Sequence, residues 1–201
     1  MSLPKPYYEE PGITIYCGDC RDILPYLEPV DLVLTDPPYQ VGFSEFEKHF
    51  DFKWWLETFP NFGNVAFTCG IRNLHIYPKP RWIYCWAKPG STRRNDTGGF
   101  NCWEPVLYYG NRKIMTDFIY LPDCVNHTVD GKDHPCPKPL PLWMWLVERF
   151  SNEGDLILDP MIGSGTTALA AKQLHRNFIG IEISQKYCDI ARERLRQEVL
   201  L

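Results

Sequence analysis

The chain alternates between short apolar runs and longer stretches whose apolar positions recur at helical spacing. Seven runs are β-prone and bounded by turn residues: Ile13–Cys17, Asp31–Thr35, Asn64–Thr68, Trp82–Trp86, Pro105–Tyr109, Leu156–Leu158 and Phe178–Ile183. Each predicts a strand. Asp31–Leu34 and Asp155–Leu158 are almost continuously apolar after the first residue, which predicts strands covered on both faces. Helical character falls on Phe46–Phe59, Leu140–Phe150, Gly165–Leu174 and Gln185–Val199. In the last of these Ile190, Ala191, Leu195 and Val199 lie among the charges of Arg192–Arg196, the pattern of an amphipathic surface helix. Strands interleaved with helices predict an α/β domain built on a mostly parallel sheet. Pro89–Asn101 and Pro122–Pro139 lack periodicity and read as loops, and loops this long in a compact domain usually serve a function.

Composition narrows this further. At 201 residues and 44% hydrophobic the chain can bury one good core, so a single domain over residues 1–201 is expected. It has no apolar run of about eighteen residues, so no membrane span is expected. Met1–Gly12 holds no apolar signal-peptide core. Eight Cys without regular spacing predict reduced thiols, and together these features predict a cytoplasmic protein. Cys17 and Cys20 form a lone pair with no second pair to match it, so no metal site is expected. The net charge of −4 hides an asymmetry. Arg72–Lys113 carries eight basic and two acidic residues, giving +6 there and −10 elsewhere. A local basic face of this kind can contact phosphates.

Three clusters carry candidate chemistry. Asp159-Pro160-Met161-Ile162-Gly163-Ser164-Gly165-Thr166 follows an apolar strand and opens an Ala-rich helix. Its glycines allow backbone to approach a ligand closely. Glu182 ends the next predicted strand, where a carboxylate can accept hydrogen bonds from ribose hydroxyls. Asp36-Pro37-Pro38-Tyr39 directly follows another buried strand. Its prolines stiffen the turn, its Asp can accept hydrogen bonds from an amino group, and its Tyr can stack on a base taken out of a duplex. His134-Pro135-Cys136-Pro137-Lys138-Pro139 leads into the helix from Leu140. A Lys at a helix start is electrostatically misplaced unless an anion or carboxylate lies beside it.

In this order, with Asp36–Tyr39 first and the glycine motif last, the three motifs resemble the β-group amino-methyltransferases of DNA found in bacteria and phages. Ile15–Cys20, Trp86–Pro89 and Trp103–Leu107 resemble further motifs of the same family, so the likeness spans residues 12 to 198. It implies the S-adenosylmethionine-dependent methyltransferase fold, with a seven-stranded, mostly parallel sheet and a circularly permuted motif order. It implies methyl transfer from S-adenosylmethionine to an exocyclic amino group of DNA, with Asp before Pro-Pro-Tyr pointing to N6 of adenine. N4 of cytosine is the nearest alternative, and a non-catalytic cofactor- and DNA-binding subunit a further one. The resemblance assigns Asp36, Pro37, Pro38 and Tyr39 to the target amine. It assigns Asp19, Asp36, His134, Lys138, Asp159, Gly163, Ser164, Gly165, Thr166 and Glu182 to the cofactor, with His134 and Lys138 closing over its methionine end. One departure stands out. Only about two dozen residues separate Gly110 from His134, so the target-recognition insert around residues 111–133 is minimal. A short target, or a homodimer sharing recognition, is expected.

Overall fold

The computed structural model describes residues 3–38, 51–89, 91, 94–95, 97–114, 116–121 and 138–197. Among these, nine strands form one sheet in the order β1-β2-β9-β8-β3-β4-β6-β5-β7. The strands are β1 (Tyr8–Glu10), β2 (Ile13–Cys17), β3 (Leu32–Thr35), β4 (Asn64–Thr68), β5 (Trp82–Ala87), β6 (Trp103–Tyr109), β7 (Phe118–Ile119), β8 (Leu156–Asp159) and β9 (Asn177–Glu182). The seven expected strands are all present, and the sheet gains β1 and β7, one at each edge. β1 pairs antiparallel with β2, and β6 runs antiparallel to both β4 and β5. The remaining strands share one direction.

Helices α1 (Cys20–Ile23), α2 (Phe52–Thr58), α3 (Leu140–Phe150), α4 (Thr166–Gln173) and α5 (Gln185–Gln197), with short 3-10 helices at Leu24–Tyr26, Phe59–Phe62 and Ile71–Ile76, complete the described elements. The helix expected over Phe46–Phe59 begins as α2 at Phe52, where the Asp51 carboxylate caps the Trp54 N–H at 2.9 Å. Its expected first turn lies outside the described residues. α3 opens with Pro139 as its cap and a proline in its first turn, where an amide donor would go unused in any case.

All four side chains of β3 are buried because both faces of the sheet are covered. Leu32 and Leu34 join Ile13, Ile15, Ile157 and Phe178 against α3, α4 and α5. Val33, between them, points the other way into Val65, Phe67, Leu158, Ile181, Trp55 and Phe59. The period of two along each strand thus divides one apolar run between two cores. α5 docks through Cys188, Ala191 and Leu195, spaced three and four residues apart, and exposes Lys186, Glu193 and Arg196.

Chain order and spatial order diverge at one place. β3 and β8 are neighbours, yet the chain runs from β3 outward to β4 and from β8 outward to β9. Ligands in open α/β sheets bind at the carboxyl ends of strands where the order reverses in this way.

Candidate active site

Asp36 sits one residue past the end of β3, at that reversal. Thr68, the last residue of β4, donates its hydroxyl to Asp36 Oδ1. Lys138 Nζ lies 3.1 Å from the same oxygen and 3.2 Å from Glu104 Oε2. Lys88 Nζ reaches the other Glu104 oxygen at 2.5 Å and stands over the Trp86 ring at 4.5 Å. Lys88, Glu104, Lys138 and Asp36 therefore alternate in charge across the ends of β5, β6, α3 and β3. Burial alone would raise the Glu104 carboxyl, but the Lys138 and Lys88 ammoniums overcome it and hold the group at about 2.

The glycine motif forms the turn from β8 into α4. Gly163 and Gly165 both have positive φ, 51° and 83°, a backbone region open to glycine at little cost. A Cβ on Gly165 would stand 2.8 Å from Ala191 Cβ, so this glycine also sets how closely α4 meets α5. Gly180 plays the matching part on β9, where a Cβ would meet Ile162 Cγ2 at 2.6 Å. Glu182, ending β9, accepts the Gly163 N–H at 2.9 Å on one oxygen and the Ser184 N–H at 2.8 Å on the other. Burial raises its pKa, and these backbone donors act against the rise. At the end of β2, Gly18 N–H donates to the Glu182 carbonyl at 2.9 Å, which draws Asp19 alongside. Asp19 caps α1 through the Arg21 N–H at 2.8 Å and pairs with the Arg21 guanidinium at 2.5 Å. Its carboxyl lies below the usual range through those Arg21 contacts.

Three residues assigned to the cofactor are placed behind the turn. Asp159 is only 2% exposed; it accepts the Thr167 hydroxyl at 2.5 Å and the Met161 N–H at 3.1 Å. Trp143 Nε1 donates to Thr167 in turn, so α3, α4 and β8 meet at this carboxyl. Burial raises Asp159 to about 7, against the hydroxyls of Thr167 and Thr35. Ser164 and Thr166 face Arg194 of α5, whose Nη1 lies 3.1 and 3.2 Å from their hydroxyls and 2.6 Å from the Ser164 carbonyl. Lys138, expected over the methionine end of the cofactor, instead joins Asp36 to Glu104. Tyr39 and His134 lie outside the described residues.

The basic segment divides. Because β5 and β6 run in opposite directions, Lys88 and Arg94 lie at the Asp36 edge, whereas Lys79, Arg81 and Arg112 flank the Arg81–Tyr108 contact at the other edge. The basic segment therefore does not form one face beside Asp36. Arg81 and Lys88 bracket β5, so although near in sequence they stand at opposite ends of the strand, separated by its length. Sequence reasoning also assigned no role to Glu104, Lys88, Thr68 or Arg194. For Glu104 a signal existed: Lys138 before a helix needed a carboxylate, and Glu104 is one of only two acids in the basic segment.

Comparison with known proteins places this geometry. A DNA methylase family model of the N6/N4 amino-methyltransferase type matches residues 78–193, more than half of the chain. The chain belongs to that family. The matched span holds Lys88, Glu104, Lys138, the glycine turn and Glu182, while Asp36 lies before it. Type II methyltransferase M.HpaI of Haemophilus parainfluenzae is 28% identical over 236 aligned positions, covering 92% of this chain and 74% of that protein. The crystal structure of the M1.HpyAVI–SAM complex has a TM-score of 0.70 at 27% identity, covering 90% of this chain and 99% of that one. PvuII DNA methyltransferase, described as cytosine-N4-specific, has a TM-score of 0.71 at 19% identity and covers 94% of this chain and 88% of its own. This last likeness is one of fold alone.

Proposed function

We propose that the chain transfers a methyl group from S-adenosylmethionine to an exocyclic amino nitrogen of a DNA base, N6 of adenine. The observation that carries this reading is the position of Asp36: one residue past β3, at the strand-order reversal, next to β8 and the glycine turn that Glu182 braces. The residues suit the cofactor. A carboxylate has about four acceptor sites, so Glu182 keeps capacity for ribose hydroxyls after bracing Gly163 and Ser184. Gly163 and Gly165 give the turn its left-handed backbone, and Asp19 stands near Glu182 for a purine amino group. A structurally similar relative, M1.HpyAVI, is described as a complex with SAM.

When bound, S-adenosylmethionine supplies a methyl group already activated on a sulfonium. The chain's own residues then have two tasks, alignment and a modest gain in nitrogen basicity. The Asp36 carboxylate and the Pro37 carbonyl accept hydrogen bonds from the target amine, which draws its lone pair out of conjugation with the ring. Thr68 and Lys138 hold Asp36 in place for this. Pro37 and Pro38 stiffen the turn, and Tyr39 stacks on the base. Positioning of this kind contributes on the order of 7–11 kcal/mol. Adenine is favoured over cytosine by the Asp of the Asp36–Tyr39 motif. Labelled methyl transfer to DNA, followed by nucleoside analysis, tests the base: N6-methyladenine is expected, and N4-methylcytosine alone would overturn the choice.

A further inference from the structure

We propose that Glu104 is a positioning residue for methyl transfer, dividing the Lys138 ammonium between two carboxylates so that Asp36 is oriented without being neutralised. This rests on Asp36 being the acceptor of the target amine. The geometry is direct. Lys138 Nζ lies 3.1 Å from Asp36 and 3.2 Å from Glu104, and the Glu104 side chain is 14% exposed. Glu104 is itself held from its far side by Lys88 at 2.5 Å, so it cannot swing away from Lys138 without losing that contact. An ammonium just before the N-cap of α3 opposes the helix dipole and is kept there by carboxylates.

Consider the same site without the Glu104 charge. Among the described residues, Lys138 then keeps Asp36 as a carboxylate partner and faces Lys88 across an uncharged side chain. Its grip on Asp36 tightens, and a carboxylate committed to an ammonium is a poorer acceptor for an incoming amine. The repulsion from Lys88 also favours loss of the Lys138 proton. Among the described residues, the groups facing Lys138 include Asp36 after β3, Cys69 beyond β4 and Glu104 on β6, with Lys88 after β5 behind Glu104 and Tyr77 beside Cys69 and Asp36. Burial raises the Cys69 thiol to about 12 and the Tyr77 phenol further, so neither supplies a compensating negative charge.

Glu104→Gln keeps the shape and removes the charge. The expected result is a fall in kcat on the order of 100-fold, with unchanged cofactor affinity by calorimetry. On a Lys138→Met background the same substitution should add little, since both changes act on one contact. Titration of the Lys138 side chain by NMR, assigned through Lys138→Met, should show its proton leaving at lower pH in Glu104→Gln and returning toward wild type in Glu104→Asp. Wild-type kcat in Glu104→Gln, losses that multiply with Lys138→Met, or an unmoved Lys138 titration would each overturn the proposal. Should Glu104→Gln not fold, the Glu104 carboxyl titration in Lys138→Gln decides the coupling, with a rise expected and no change overturning it. Absence of methyl transfer by the wild type would instead remove the assignment of Asp36, while the two titrations still decide whether Glu104 holds Lys138.

Discussion

Two carboxyl groups at the strand ends around the site, Glu104 on β6 and Asp159 on β8, carry opposite pH signatures. Glu104 is held at about 2, below its ordinary 4.5. Its contribution to stability is therefore complete above about 4.5 and is lost as pH falls through 2. Asp159 is raised from 3.8 to about 7. Between those values the folded chain keeps a proton that the unfolded chain has released, so stability falls as pH rises across the window. Above 7 the native state carries a buried carboxylate. Asp159→Asn should flatten this decline, which urea unfolding at a series of pH values from 4 to 8 measures. A decline as steep as in wild type would mean that other groups cause it. At Asp36 the expectation concerns turnover rather than stability. Asp36→Ala should lower methyl transfer by at least roughly two orders of magnitude while sparing S-adenosylmethionine binding, because the contact proposed for Asp36 is with the target amine. Calorimetry alongside single-turnover transfer separates the two effects.

At the scale of elements, the glycine turn shows how one position serves backbone and packing together. Gly165→Ala would place a side chain at φ 83° and drive its Cβ into Ala191 of α5. Either α5 shifts or the turn does, and a loss of about 1–3 kcal/mol in stability is expected. The thermal transition reports the loss, and weaker cofactor binding should accompany it, because the same shift moves Gly163 off Glu182. The interior strands were legible in the sequence for a physical reason: β3 and β8 are covered on both faces, so their apolar runs are unbroken. β1 and β7 were not legible, since edge strands of three and two residues with Glu9 and Glu10 exposed or half-buried leave no such run. The candidate site divides in the same way. Asp36 and Glu182 stand at strand ends beside recognisable turns, and the sequence pattern locates both. Glu104 lies inside a strand, and its meaning depends on β5, β6 and α3 meeting, which no local pattern encodes. The Asp159 carboxyl was legible as important but not as internal, because burial by Trp143 and Thr167 is a consequence of α3 packing on α4.

The whole molecule has two charged edges, and only one of them can serve the reaction. Asp36, Asp159, Glu182, Lys88 and Glu104 lie at the carboxyl ends of the parallel strands or beside them, and Arg94, beyond β5, is exposed at that edge. Lys79, Arg81 and Arg112 lie at the opposite edge, where Arg81 and Arg112 are engaged by Asn111 and Asn152. A base presented to Asp36 brings its phosphates to the first edge. Phosphate contacts contribute affinity without sequence information, and each one lost lowers the salt dependence of binding. Arg94→Ala should therefore weaken binding of unrelated DNA sequences by similar factors and reduce the salt slope by about 1. Lys79→Ala with Arg81→Ala should leave both quantities unchanged, although together they remove more charge. Fluorescence anisotropy over a range of salt concentrations makes the comparison. M.HpaI aligns over 236 positions, more than this whole chain contains, so it carries inserted residues that this chain lacks, and we propose that residues 111–133 are a short segment for reading bases. With few side chains available to reach base edges, the modified sites mapped by sequencing DNA methylated in vitro should share a short or degenerate target. A stringent site of about six or more specified bases read by a monomer would show that residues 111–133 read far more than their number suggests, and would contradict the assignment of Arg94 as a contact that carries affinity alone.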